Sequence, residues 1–299
     1  MEHVIEVERI TKDYGHKKGV FDVDFTIGKG EVFGYLGPNG AGKTTTIRQL
    51  MGFIRPDKGT CRILGMDCFE QAAGIQRRLG YLAGEIAFMD DMKGPEFLKF
   101  VADLKGVKNQ ARIGELTERF ELDPRGKIRK MSKGMKQKIG IICAFMGEPE
   151  VLILDEPTSG LDPLMQNRFI ELIQEEKKKG TTILMSSHLF EEVERTCDRT
   201  AIIRQGEIVA VEDMAQLTRR KKKNYCLKLK DEQEARRLAA EPELDVVGTN
   251  GRHVEIAVRQ NVREVLALLS RYEVRDLDVK AQTLEDVFLH YYGKDGEKR

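Results

Sequence analysis

A glycine-rich octapeptide follows a strand-like segment, Glu31–Leu36, and opens a helix-like segment, Lys43–Met51, that ends before Gly52. The octapeptide fits the pattern G-x-x-x-x-G-K-[ST] of a phosphate-binding loop between a strand and a helix. Its glycines let successive backbone N–H groups turn toward phosphates, and the helix N-terminus adds the positive end of its dipole. These features predict an α/β nucleotide-binding fold.

Two side chains of the octapeptide carry specific chemistry. Lys43 places a positive charge on the β- and γ-phosphates, and the Thr44 hydroxyl binds Mg²⁺. The residues that we expect around the phosphates are Gly37, Pro38, Asn39, Gly40, Ala41, Gly42, Lys43, Thr44 and Thr45.

A second segment completes this site. Val151–Asp155 is a nearly continuous apolar run that ends in an aspartate, typical of a strand buried on both faces of a parallel sheet, and Glu156 follows it. Asp155 is placed to bind magnesium directly or through water. Glu156, one residue further, can take a proton from the attacking water.

The other strand and helix patterns up to about residue 218 predict one α/β domain, 1–218. It is expected to be a P-loop NTPase core, in which the octapeptide is the P-loop, with an antiparallel β subdomain and an inserted helical subdomain. Val4–Val7 and Val20–Ile27 alternate like half-buried antiparallel strands, whereas Thr181–Ser186 and Thr200–Ile203 read as further strands of the parallel sheet. Residues 85–147 read as an inserted helical subdomain. Its first helix places Phe97, Phe100, Val101 and Leu104 on one face, its second does so with Ile113, Leu116 and Phe120, and its third begins at the N-cap Ser132.

The composition changes at the basic run Arg219–Lys223, which we interpret as a solvated linker. The segments that follow it read strand, helix, strand, strand, helix, strand. This order predicts a small α+β domain of the ferredoxin-like type over 224–299. A last amphipathic helix is expected from the N-cap Thr283.

The net charge, the cysteines and the lengths of the apolar runs indicate which partners and which location to expect. The formal net charge is +1, which gives no reason to expect a nucleic-acid partner. The five cysteines show no metal-ligand spacing and read as reduced cytosolic thiols. No apolar run approaches the roughly 20 residues that a spanning helix needs, so a role at a membrane requires a separate membrane subunit.

Three further motifs indicate which family of nucleotide hydrolases the chain resembles. Met131–Gln137 resembles the signature sequence of the ATP-binding cassette (ABC) family, usually Leu-Ser-Gly-Gly-Gln, about twenty residues before the strand that ends in Asp155. Pro157–Asp162 resembles the D-loop of that family, and Ser186–His188 its switch histidine. In this order and spacing, the motifs resemble an ABC ATPase over about Val4–Thr218.

The resemblance implies roles for individual residues. Tyr14 matches the aromatic residue that stacks on adenine, and His188 matches the residue that contacts the γ-phosphate. Ser132 and Gly134 are expected to face the γ-phosphate bound by the opposite subunit, which implies a dimer, and Asp162 joins the nucleotide-contacting set. The expected catalytic residues are Glu156, His188 and Lys43, and the cofactor is Mg²⁺.

The chain departs from the family pattern at two places. Gly84 stands where the family has the Q-loop glutamine, so the adjacent Glu85 is the candidate for the missing contact to magnesium. In the signature, Lys133 and Met135 replace the usual Gly and Gln, whereas Ser132 and Gly134 remain. The segment Thr283–Gly293 resembles the ending of ATPase subunits of drug and peptide-antibiotic exporters, the bacitracin-resistance type among them.

The resemblance therefore implies an ATP-hydrolysing subunit that powers transport, in the export direction, through separate integral membrane permease subunits. It places the chain in the cytoplasm, on the inner face of the membrane. An alternative is a soluble ABC ATPase that acts on ribosomes or nucleic acid, although a second cassette and long heptad insertions are missing. A P-loop kinase or GTPase would lack the signature and the D-loop.

Overall fold

The computed structural model of this chain describes residues 2–220, 223–258 and 262–281. The chain divides into two compact units, Met1–Met214 and Ala215–Arg299. Both units mix helices with sheets.

A six-stranded sheet within the described residues forms the centre of the first unit, and its spatial order is β10-β9-β3-β8-β7-β6. Pairing is parallel throughout except for the edge strand β10, which runs antiparallel to β9. The strands of this sheet are β3 (Val32–Leu36), β6 (Leu79–Leu82), β7 (Val151–Asp155), β8 (Thr182–Ser187), β9 (Arg199–Arg204) and β10 (Glu207–Asp213). Every residue of β3, β7 and β8 is buried, as the apolar run before Asp155 predicts.

An antiparallel sheet packs into the same core, and its order is β2-β1-β4-β5. Its strands are β1 (His3–Asp13), β2 (Gly19–Gly28), β4 (Lys58–Ile63) and β5 (Met66–Asp67). The helices of the core are α1 (Lys43–Leu50), α2 (Ala72–Gln76), α6 (Pro163–Lys178) and α7 (Phe190–Thr196), and α8 (Met214–Arg220) begins at the boundary between the units. The P-loop NTPase architecture with an antiparallel β subdomain is therefore confirmed.

The helical insertion lies between β6 and β7 and consists of α3 (Gly94–Lys105), α4 (Gln110–Arg119) and α5 (Lys133–Phe145). The predicted N-cap is confirmed, because Ser132 Oγ accepts the backbone N–H of Met135 at 3.2 Å. In α4, Leu116 and the following Phe120 are fully buried.

The predicted apolar face of α3 is only partly covered, because Phe97 and Val101 are half-buried while the other two residues are exposed. Leu98 and Ala102 are the buried apolar residues of this helix, whereas Phe100 and Leu104 are 42% and 76% exposed. Two apolar stripes lie side by side on α3, and periodicity alone does not say which one packs. The structure buries the stripe with the smaller side chains, where α3 approaches α5.

The second unit has the predicted order of elements: β11 (Lys223–Leu229), α9 (Glu232–Ala239), β12 (Asp245–Asn250), β13 (His253–Val258), α10 (Val262–Leu269) and β14 (Val274–Ala281). Its antiparallel sheet has the order β12-β13-β11-β14, the arrangement of a ferredoxin-like fold. Side chains from the sheet and both helices share one apolar core.

The basic run is only partly a linker. Arg219 and Arg220 end α8 and Lys223 begins β11, while residues 221–222 lie outside the described part. The predicted terminal helix from Thr283 and the segment Thr283–Gly293 also lie outside the described residues. Among the helices that are described, none combines the length and the hydropathy that a membrane span requires.

Candidate functional site

The octapeptide forms a turn between the carboxyl end of β3 and the first turn of α1. Gly42 is the N-cap of α1 and has φ +114°, a conformation that residues with a side chain rarely adopt. A Cβ atom at Gly42 would also lie 2.6 Å from Cγ1 of Val20, so packing and backbone conformation both require glycine. Pro38, Asn39 and Gly40 are exposed at the outer side of the turn.

Lys43 is buried at the centre of this turn. Its Nζ donates hydrogen bonds to the carbonyl oxygens of Gly37 and Pro38, at 2.6 and 3.2 Å. The same ammonium group lies 3.0 Å from Oε1 of Glu156. A compact cation is therefore held inside the loop, where incoming phosphate oxygens can replace these contacts.

Thr44 and Asp155 come together although they are far apart along the chain. Thr44 Oγ1 donates to Oδ2 of Asp155 at 2.8 Å, and Ser186 Oγ donates to Oδ1 at 2.5 Å. Asp155 is fully buried at the end of β7. A hydroxyl and a carboxylate oxygen side by side are the hard ligands that Mg²⁺ prefers, and Mg²⁺ in nucleotide sites takes few protein ligands besides water and phosphate.

Protein side chains alone form no metal site in the described part of the chain. No group of three or more His, Cys, Asp or Glu side chains there could hold a metal by itself. The oxygen pair of Thr44 and Asp155 therefore fits a magnesium ion that phosphate oxygens help to bind.

Glu156 and His188 form a second pair beside the loop. Nδ1 of His188 lies 2.5 Å from Oε2 of Glu156. The Glu156 backbone has φ +50°, a left-handed conformation that is uncommon for a residue with a side chain, and Ser186 fixes it through both its carbonyl oxygen and its hydroxyl. This geometry turns the carboxylate toward Lys43 and His188.

The signature segment contacts the D-loop of the same chain. Lys133 Nζ donates to Ser159 Oγ at 3.0 Å, and Gln137 Nε2 donates to the carbonyl oxygen of Pro157 at 2.8 Å. A Cβ atom at Gly134 would lie 2.7 Å from the carbonyl oxygen of Gly160, so this close approach requires glycine. Lys133, which departs from the family pattern, thus joins the signature helix to the D-loop.

Four other predicted residues occupy distinct places. Tyr14 is 52% exposed on the turn between β1 and β2. The residues that begin β2 after this turn, Gly19 and Val20, pack beside Gly42 of the octapeptide. Asp162 caps α6 by accepting the N–H of Met165 at 3.0 Å, so this structure shows it in a capping role. Thr45 lies within α1, and its carbonyl oxygen accepts Nε2 of Gln49. Ser132 is exposed at the start of α5, with its hydroxyl in the N-cap bond described above.

Gly84, rather than Glu85, lies beside Asp155, the carboxylate that is expected to bind magnesium. A Cβ atom at Gly84 would lie 3.1 Å from Oδ2 of Asp155, whereas the Glu85 side chain is exposed and has no hydrogen bond or ion pair with the described residues. The structure therefore does not bring Glu85 together with Thr44 and Asp155.

Two side chains that contact this site or its flanking turn were not predicted from the sequence. Ser186 was noted only as part of a motif, yet its hydroxyl bonds both Asp155 and the Glu156 backbone. Glu192 is a buried carboxylate in α7 that accepts the Ser187 hydroxyl at 2.5 Å. A polar residue at the end of a buried strand was a usable signal for Ser186. The glutamate four residues after His188 was a weaker one, because its burial depends on the packing of α7.

Comparisons with known proteins agree with this geometry. Residues 20–159 match a family model described as ABC transporter. The chain is 32% identical to an uncharacterized ABC transporter ATP-binding protein, YhcH of Bacillus subtilis, over 100% of this chain and 99% of that protein. It is 36% identical to the bacitracin transport ATP-binding protein BcrA of Bacillus licheniformis, over 79% and 78% of the two chains. A solved structure of an ATP binding subunit of an ABC transporter is similar with TM-score 0.65 and 32% identity, and the match covers 72% of this chain and 92% of that one.

Proposed function

The chain belongs to the ABC transporter family, as one of its ATP-binding subunits, and we propose that it hydrolyses magnesium-ATP to drive export through separate membrane subunits. The observation that carries this proposal is the convergence of five side chains at the carboxyl ends of β3, β7 and β8. These side chains are Lys43, Thr44, Asp155, Glu156 and His188.

In this proposal the loop around Lys43 binds the triphosphate. The N–H groups at the start of α1 and the Lys43 ammonium face the phosphate oxygens, so the negative charge meets several preorganised donors. Magnesium, held by Thr44 and Asp155, supplies further neutralisation of the phosphate charge. The exposed Tyr14 provides a flat surface for the adenine ring, next to the loop.

Glu156 acts as the general base. Its carboxylate takes a proton from a water molecule, whose oxygen forms a bond to the γ-phosphorus while the bond to the β,γ-bridging oxygen breaks, so that ADP and phosphate result. His188, within hydrogen-bond distance of Oε2, orients this carboxylate, and in this proposal it contacts the γ-phosphate when ATP is bound. The chemistry depends on positioning and electrostatics, because phosphoryl transfer requires little covalent participation by the protein.

In this proposal, Ser132 and Gly134 act on the ATP that a second copy of the chain binds. They lie at the N-terminus of α5, a 13-residue helix, where the positive end of the helix dipole favours an anion. Within the described residues neither has a hydrogen bond to the P-loop of its own chain. We propose that each reaches the γ-phosphate bound by the opposite subunit, so that ATP closes the dimer and hydrolysis opens it.

The membrane partner is proposed to bind beside the segment Glu85–Met89. Met89 is 51% exposed there, and Phe88 packs edge-on against Phe97 with ring centroids 5.2 Å apart. Apolar side chains at the junction of two subdomains fit a short helix of a partner subunit. The relative BcrA is named for bacitracin transport, which supports a transport role, and export is the direction that we propose.

Two measurements test the proposal. Release of phosphate from magnesium-ATP by the purified chain is expected, and it should disappear when EDTA removes the magnesium. Purification from detergent-solubilised membranes should recover a hydrophobic subunit together with the chain. Co-purification with ribosomes instead would favour the soluble alternative.

A further inference from the structure

Glu192 is a buried carboxylate that the proposed hydrolysis does not use. It lies on α7, four residues after His188, and only 6% of the residue is exposed. Its Oε2 accepts the Ser187 hydroxyl at 2.5 Å, while its Oε1 is buried without a hydrogen-bond partner among the described residues. A buried carboxylate oxygen with no partner is costly, so its retention calls for a reason beyond packing.

Ser187 connects this carboxylate to the chain on both sides of His188. Ser187 immediately precedes His188, and its Oγ also accepts the backbone N–H of Leu189 at 2.9 Å. The hydroxyl can accept this N–H and donate to Glu192 at the same time. The turn that presents the imidazole is therefore fixed by a hydroxyl that Glu192 orients.

Thr158 brings the Glu156 side of the site into the same network. It lies two residues after Glu156, is buried, and its hydroxyl favours the ionised form of Glu192. The loop after β7 and the loop after β8 thus both face one carboxylate. These loops carry the two members of the Glu156–His188 pair.

The environment of Glu192 makes it sensitive to pH. Burial raises the pKa of Glu192 from 4.5 to about 7, and the hydroxyl groups of Ser187 and Thr158 oppose this rise. The charged groups that face it are Glu156 after β7, which raises the pKa of Glu192, and His188 after β8, which lowers it. Cys197, after α7, is the third titratable group near the carboxylate.

We propose that Glu192 is a positioning residue for ATP hydrolysis: its ionised carboxylate holds the His188 turn through the Ser187 hydroxyl and faces Thr158 on the loop that carries Glu156. This inference rests on the proposed ATPase function. The ionised form accepts the Ser187 hydroxyl and is favoured by the nearby Thr158 hydroxyl, whereas a protonated carboxyl has to donate a hydrogen bond itself. The Glu156–His188 pair is therefore best ordered when Glu192 is ionised.

The test compares magnesium-ATP hydrolysis by wild type and Glu192→Gln between pH 6 and pH 8. The amide keeps the shape of the side chain but cannot ionise. At pH 8 we expect kcat of Glu192→Gln to be about tenfold lower than wild type, the effect of one lost charged hydrogen bond, with KM for ATP within about twofold. At pH 6 the two enzymes should converge, because wild-type Glu192 is then protonated.

The matched control is Glu191→Gln, which changes the neighbouring, exposed glutamate of α7 and should leave kcat and its pH profile as in wild type. Ser187→Ala provides a second route if Glu192→Gln does not fold. It should lower kcat at pH 8 by a similar factor, and in the double variant the two losses should not add.

Parallel pH profiles of wild type and Glu192→Gln would overturn the positioning role and leave the ATPase function intact. Additive losses in the double variant would do the same. A wild-type chain that releases no phosphate from magnesium-ATP would overturn the proposed function itself.

Discussion

Nζ of Lys43 lies 3.0 Å from Oε1 of Glu156, and the other oxygen of the same carboxylate lies 2.5 Å from Nδ1 of His188. One side chain thus connects the lysine and the histidine that we propose to contact the phosphates. The three residues come from the ends of β3, β7 and β8, so their contact depends on the order of strands in the sheet. This contact places Glu156, the proposed base, where the γ-phosphate and the attacking water are expected to meet.

Glu156→Gln should separate nucleotide binding from hydrolysis. The amide keeps the size of the side chain but cannot accept a proton as a carboxylate does, so the rate of phosphate release should fall by roughly 10²–10⁴-fold. Lys43, Thr44 and Asp155 remain, so magnesium-ATP should still bind and the variant should accumulate as a nucleotide-bound dimer. Phosphate release and light scattering on one preparation measure both effects. Hydrolysis at the wild-type rate would exclude Glu156 as the base.

Lys43→Ala should weaken ATP binding severely. Each charge-assisted hydrogen bond from the ammonium group contributes about 1.5–3 kcal/mol, and the preorganised loop adds to this value. Titration with a fluorescent ATP analogue measures the loss of affinity. Lys58→Ala is the control, since Lys58 is an exposed lysine of β4. Unchanged affinity in a folded Lys43→Ala protein would contradict the phosphate assignment.

A chain truncated after Thr218 should be soluble and should bind ATP. All elements of the proposed site lie within the first compact unit, Met1–Met214, which has its own core. A shorter chain that ends after Ile203 is the comparison, because it lacks β10 and leaves an edge of β9 unpaired. Soluble yield and nucleotide binding are measured for both. An insoluble 1–218 chain would argue against separable domains.

Met89→Asp should impair transport and co-purification of the membrane subunit while ATP binding is kept. Met89 is half exposed in the proposed docking segment, so a charge there acts on the partner rather than on the fold. Phe88→Asp should cause the same defect but also lower thermal stability, because Phe88 packs against Phe97. Val209→Asp, at an exposed apolar residue of β10, is the control. Full transport by both variants would remove this segment from the interface.

Glu192 should make the free energy of unfolding depend on pH. Its pKa rises from the usual 4.5 to about 7 on folding, so between these values the folded chain binds more protons than the unfolded chain. Stability from this group is therefore present below pH 4.5 and is lost as pH rises through about 7, by about 3 kcal/mol in all.

The amide in Glu192→Gln cannot ionise, so the variant does not lose this stability as pH rises. Urea unfolding followed by circular dichroism at pH 5 and pH 8 should show the variant gaining stability relative to wild type at the higher pH. Glu191→Gln should follow wild type at both values. Equal pH dependence in wild type and Glu192→Gln would mean that the buried carboxylate does not titrate in this range.

Local pattern was sufficient for a large part of this protein. The octapeptide and its flanks predicted a strand over Glu31–Leu36 and a helix over Lys43–Met51, each within one residue of β3 and α1, and the apolar run predicted β7 to the residue. The N-cap Ser132 and the order of elements in the second unit also followed from sequence. Capping, alternation and turn chemistry involve neighbours in the chain, so these features need no knowledge of the remainder of the fold.

The site itself was decided by the tertiary structure. Thr44 and Asp155 are 111 residues apart and meet because β8 lies between β3 and β7 in the sheet, an order that no local pattern specifies. The same order brings Ser186 to Asp155 and His188 to Glu156. The buried stripe of α3 and the burial of Glu192 depend likewise on which helix or strand packs opposite. Contacts between distant segments are set by packing of the whole core, because only there do competing apolar faces differ in free energy.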